Sequence, residues 1–145
     1  MHEIQTNLLW IGHAFDIRAL DSQQPRALFE AGIEAVVDVA YEEAPAYLPR
    51  QLIYCRFPLN DGGGNEPAHL LQCVQTLGDF LSSGTRTLVA CSAGMSRSPT
   101  IAAFALAKHL SQTPDEILVR IAEKRSLEIK PSLWSDVENI FAKLR

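Results

Sequence analysis

Apolar and polar positions follow two different rhythms along the chain. Short stretches dominated by apolar residues occupy 7–11, 34–39, 52–57 and 87–90, the first closed by Gly12 and the third leading through Pro58 into the polar loop 60–65. Stretches of this length read as strands, and the β-branched run at 34–39 reads as one buried on both faces. Elsewhere the apolar residues recur three and four apart. Leu70, Leu71, Val74, Leu77, Phe80 and Leu81 predict a helix over 67–81, ended by Ser82-Ser83-Gly84. Residues 99–110 are apolar almost all round, which predicts a helix inside the core. Thr113, Pro114 and Glu116 read as the N-cap, first residue and capping-box partner of another helix. A short helix over 22–31 with Gly32 as its C′ residue, and an amphipathic one from Pro131 through Leu144, complete the set.

Strands alternating with helices imply a mainly parallel sheet covered on both faces. The expectation is an α/β fold, one domain over residues 1–145, with a central sheet of four to five strands flanked by helices. Composition agrees: 145 residues with 47% hydrophobic and 21% charged can close a real core, which excludes a disordered or collagen-like chain. No apolar run has the length of a membrane helix, and the N-terminus lacks the basic start and apolar run of a signal peptide. Three irregularly spaced cysteines make neither a disulfide framework nor a zinc site, so a reducing cytoplasm is the expected compartment and no metal is expected. A net charge of −4 without a basic stripe argues against a nucleic-acid partner. A monomer is the default.

The chemistry concentrates in Cys91-Ser92-Ala93-Gly94-Met95-Ser96-Arg97-Ser98, directly after the Thr87–Ala90 strand. Small residues let successive backbone N–H groups turn inward as an anion-binding nest. The following helix aims its positive end at the same point. Arg97 can grip two phosphate oxygens at once. Cys91 sits where these donors converge, which should favour its thiolate for attack on phosphorus. A lone cysteine at a strand end is more often structural; the whole C-x-x-G-x-x-R-S pattern favours catalysis. Ser98 can hydrogen-bond the sulfur or cap the helix ahead of Pro99, and the two roles are compatible. Asp61, in Asn60-Asp61-Gly62-Gly63, is either a general acid or ordinary turn chemistry, and the three glycines of this loop suggest mobility.

Residues 91–98 fit the signature of the cysteine-dependent protein tyrosine phosphatases, and the surroundings resemble the small dual-specificity phosphatases. Leu9-Trp10-Ile11-Gly12 resembles the family's opening strand, residues 32–39 its second, and Phe57-Pro58-Leu59-Asn60-Asp61 its general-acid segment. Residues 121–131 are similar to its late helix and arginine-containing turn, with Arg125 at the arginine. The resemblance implies hydrolysis of a phosphomonoester on a phosphorylated protein or peptide, without metal or cofactor. It implies Cys91 as nucleophile and Arg97 with the loop from Ser92 through Ala93, Gly94, Met95 and Ser96 as the phosphate cradle. Asp61 would be the acid and then the base, and Ser98 would steady the leaving sulfur.

Two departures from the family pattern matter. Ala90 stands where a histidine usually precedes the nucleophile, which predicts weaker activity or a higher pH optimum, and keeps open a phosphate-binding module that barely turns over. The loop interior carries no lysine, unlike relatives acting on highly phosphorylated lipids; no membrane partner is expected, and Met95 suits an aryl ring. Sulfur transfer is a third reading, but it has no use for an acid loop. Asp38 reads as structural, Cys55 and Cys73 as buried thiols that could pair with an oxidised Cys91, and His2, His13, His69 and His109 as surface or helix-face residues. Trp10, Trp134 and Phe141 read as core contacts.

Overall fold

In the computed structural model, which describes residues 1–18 and 26–143, alternation along the strands sorts side chains onto two faces of one sheet. The strands are β1 (His2–Gln5), β2 (Leu9–Gly12), β3 (Ala35–Ala40), β4 (Ile53–Leu59) and β5 (Thr87–Ala90). The spatial order is β1-β2-β5-β3-β4, parallel throughout except for the antiparallel β1–β2 pair at one edge. This is the expected α/β sheet, with five strands.

Trp10, Val36 and Leu88 face one side with Ile17 and Leu28, which come from α1 (Ala14–Ile17) and α2 (Arg26–Glu30). Ile11, Val37 and Val89 face the other, against α3 (Pro67–Ser82), α4 (Arg97–Leu110), α5 (Pro114–Ala122) and α6 (Pro131–Ala142). Helix α4 is buried from Arg97 to Ala107. Its Phe104 packs against the rings of Trp134 and Phe141, with centroids 4.7 and 5.2 Å away. Trp10 and Phe141 are buried and Trp134 is partly so, as core contacts should be.

The signals at helix ends are realised as hydrogen bonds. Thr113 Oγ1 accepts from Glu116 N–H while Glu116 accepts from Thr113 N–H. Gly32, at φ +74°, ends α2 with two capping bonds, Gly32 N–H to Phe29 O and Ile33 N–H to Leu28 O. Residues 22–25 of the expected 22–31 helix, and Leu144 of the last one, lie outside the described residues.

Several expectations need correction. β1 and α1 carry too few apolar residues to have a legible period, and both went unread. His13 is not a bland surface residue: its Nδ1 accepts from Phe15 N–H and Asp16 accepts from His13 N–H, so it caps α1 in the manner of serine or threonine. Helix α4 begins at Arg97, with Ser96 at the N-cap position and no side-chain capping bond. The N-cap role weighed for Ser98 therefore fails, because the last turn of the loop is already helical. Pro99 falls within that first turn, where its missing N–H has no intrahelical partner to lose.

Candidate active site

β5 lies between β2 and β3 and runs parallel to both, so the segments after Gly12, Ala90 and Ala40 all leave at the C-terminal end of the sheet. Ligand sites of open α/β sheets form outside that end of the strands. The loop after β5 is braced from both sides. Ala14 N–H bonds to Ser92 O at 3.1 Å, and Cys91 N–H to Gly12 O at 3.4 Å. From the segment between α5 and α6, Glu128 N–H bonds to Met95 O at 2.9 Å and Lys130 N–H to Ser96 Oγ at 3.1 Å. Gly94 has φ +71°, and a Cβ there would collide with the Arg125 guanidinium and lie 2.8 Å from Gly12 O. Glycine is thus demanded by conformation and by space.

Cys91 is 2% exposed, and its sulfur accepts a hydrogen bond from Gly94 N–H at 3.2 Å. Ser98 Oγ lies 3.2 Å from the same sulfur, with Gly12 O at 3.5 Å as its second neighbour. Arg97 forks onto Glu42: Nη1 to Oε1 at 2.7 Å and Nη2 to Oε2 at 2.9 Å. Its Nη1 also donates to Leu59 O at 2.8 Å, while its buried Nε has no protein partner. Burial alone would lower the pKa of Arg97; the Glu42 hydrogen bond and the nearby Cys91, Glu42 and Asp61 charges outweigh burial and raise it. The Arg97 hydrogen bond in turn holds the Glu42 carboxyl down at about 2.

Cys91, Arg97, Asp61, Ser92, Ala93, Met95 and Ser96 all line one cavity of about 250 Å³. Gly94 does not line it and instead faces Arg125 and the sulfur. Asp61 sits exposed on a turn stapled by Asn65, which accepts from Asn60 N–H at 2.8 Å and donates to Asn60 O and Gly62 O. Arg125 supports the loop from behind, Nη1 to Ile11 O at 2.9 Å and Nη2 to Ala93 O at 3.4 Å. Burial lowers its pKa. Cys73 is fully buried and Cys55 partly, and burial pushes both thiols up. Among the described residues, no three His, Cys, Asp or Glu side chains gather as a metal site. No helix among them is long and apolar enough to cross a membrane.

Glu42, Glu128 and Lys130, outside the sequence motif, also line the cavity. A signal existed for Glu42 alone. It follows a buried strand, and a parallel neighbour of β5 must open at the same end of the sheet as the phosphate loop.

Superposition on known structures is decisive for the architecture. Human DUSP28 matches with a TM-score of 0.81 at 22% identity, over 97% of this chain and 95% of its own. The fold is that of the small dual-specificity phosphatases. PTPMT1, in a structure with PI(5)P, has a TM-score of 0.77 at 19% identity, covering 99% of this chain and 95% of its own. A human tyrosine phosphatase-like serine/threonine/tyrosine-interacting protein has a TM-score of 0.79 at 16% identity, covering 98% and 95%. No family model matches the sequence, and no curated protein matches it. A dual-specificity phosphatase fold accounts for the parallel sheet, the buried helix behind the loop and the position of that loop at the C-terminal end of the central strand.

Proposed function

We propose that the protein hydrolyses phosphomonoesters on phosphoproteins, phosphotyrosine foremost and phosphoserine or phosphothreonine as well, through a phosphocysteine intermediate and without metal. The observation that carries this reading is the convergence on one sulfur: Gly94 N–H and Ser98 Oγ each stand 3.2 Å from Cys91 Sγ, in the cavity that Arg97 also lines. Donors so placed stabilise a negative sulfur and an anion facing it. The buried, unpartnered Nε of Arg97 is a donor left over for a phosphate oxygen.

In the first step the Cys91 thiolate attacks phosphorus, the ester P–O bond breaks, and the leaving oxygen takes a proton from the Asp61 carboxyl. In the second, Asp61 takes a proton from water, the hydroxide forms the new P–O bond, and sulfur departs toward the Ser98 hydroxyl. Loop amides and Arg97 hold the three remaining oxygens throughout. The absence of lysine from Ser92 to Ser96 keeps a phosphoprotein ahead of a phosphoinositide.

A second reading, a phosphate-binding module that turns over poorly, is favoured by Ala90 and by the likeness to a tyrosine phosphatase-like interacting protein. Steady-state hydrolysis of an aryl phosphate across about pH 4.5–8.5, with chelator present and Cys91→Ser alongside, decides between them. Chelator-resistant activity lost in Cys91→Ser is the expected result. Tight phosphopeptide binding with turnover no faster than the mutant at every pH would establish the module instead.

A further inference from the structure

The segment that delivers Glu42 to Arg97 is held by four polar side chains at its base. Asp38, fully buried on β3, is the hub. Its Oδ2 accepts from Arg18 Nη2 at 2.6 Å and from the Tyr54 hydroxyl at 2.6 Å, and lies 3.7 Å from Arg56 Nη1; its Oδ1 accepts from Ala40 N–H at 3.2 Å. Arg56 Nη2 then reaches three carbonyls of the departing chain, Ala40 O at 3.2 Å, Tyr41 O at 3.5 Å and Glu43 O at 2.5 Å. Arg18 Nε donates to Ala44 O, and Tyr54 Oη accepts from Ala46 N–H. Backbone groups of Ala40, Tyr41, Glu43, Ala44 and Ala46 are thus pinned, and Glu42, in their midst, sends its side chain to Arg97.

The pairing register between β3 and β4 shifts at the same place. Asp38 pairs with Arg56, but Ala40 pairs with Leu59, so β4 carries one extra residue there. Bulges re-aim the chain beyond them. Beyond this one lie both protein acceptors of Arg97, the Glu42 carboxylate and Leu59 O, and Leu59 O also accepts from Tyr41 N–H at 3.2 Å.

We propose that Arg56, ion-paired with Asp38 at this bulge and hydrogen-bonded to the carbonyls on either side of Glu42, is a positioning residue that sets the orientation of Arg97 through Glu42. The inference rests on the phosphate-site reading above, with Arg97 as the anion-gripping group. Arg56 touches neither the sulfur nor the cavity wall, so its effect must pass through Glu42. That route makes the effect of Arg56 conditional on the Glu42 carboxylate.

The test is a double-mutant cycle read by titration calorimetry with tungstate, a phosphate-shaped anion whose binding needs no turnover. Arg56→Met should weaken tungstate binding about tenfold where Glu42 is present, and by less than about twofold when Glu42→Gln is already in place. Equal weakening in both backgrounds, or none in the first, overturns the proposal. If Arg56→Met fails to fold, Tyr54→Phe, which removes one hydroxyl and frees Ala46 N–H, is read in the same cycle and should show the same dependence on Glu42. Tungstate binding by the unmutated chain without aryl phosphate hydrolysis would remove the hydrolase reading and leave the relay standing. No tungstate binding at all would remove both.

Discussion

With both terminal nitrogens of Arg97 donating to it, the Glu42 carboxyl has its pKa held at about 2 against an ordinary 4.5. A carboxyl depressed on folding contributes stability that is complete above its unfolded pKa and is lost as pH falls through the folded one. The Glu42 contribution should therefore fade between about pH 4.5 and about 2 and stay constant above that window. Glu42→Gln should flatten this part of the stability curve, measured by urea melts at stepped pH. The effect should be modest, because the carboxylate is half-exposed and water screens the pair. An unchanged curve would mean that the pair contributes nothing on folding. At the same scale, Cys91→Ser should abolish turnover yet keep tungstate binding, while Arg97→Ala should lose both. Neither proposed role required the structure to be suspected, because cysteine, glycine and arginine lie within one short motif. Glu42 lies 55 residues from Arg97, and only the pairing of β3 with β5 brings them together.

The Asp61 turn shows what an element can reveal and what it hides. Three glycines suggest a loose loop, yet the Asn65 side chain makes hydrogen bonds to Asn60 and Gly62 and closes it into a compact turn. Asp61→Asn should slow hydrolysis of an ester with a poor leaving group by about 10²–10⁴-fold and that of an activated aryl ester far less. Equal loss on both would remove Asp61 from the proton transfers. Asn65→Ala should reproduce a weaker form of the same leaving-group dependence with little change in melting temperature, since the turn is exposed. Helices were the most legible elements, because capping residues and apolar spacing are local signals. The 67–81 and 131–144 expectations differ from α3 and α6 by residues at one end only. β4 runs past Pro58 to Leu59, a continuation that the proline concealed and that the bulge accommodates. β1 offered only Ile4 as a buried apolar residue, and its place is set by distant partners: Arg120 Nη2 on Ile4 O and Lys124 Nζ on Glu3 O. No local pattern encodes such contacts.

At the scale of the whole molecule, the site is a junction of segments far apart in sequence. The β2–α1 turn, the segment after β3, the end of β4 and the α5–α6 connection each contribute a hydrogen bond to the loop after β5 or to its arginine. An anion that binds at such a junction binds only the assembled fold, so its binding free energy adds to global stability. At about 100 times its dissociation constant, tungstate should add about 2.7 kcal/mol. For a chain of this size that corresponds to a rise in melting temperature of roughly 8 °C. Arg97→Ala should abolish the rise, and Cys91→Ser should keep most of it, because serine preserves the loop and removes only the thiol. Differential scanning calorimetry with and without tungstate measures all three proteins under one condition. A rise that survives in Arg97→Ala would locate the stabilising anion elsewhere and detach Arg97 from phosphate recognition. A rise lost in both variants would make the sulfur itself the principal anion contact and would demote the loop amides to scaffolding.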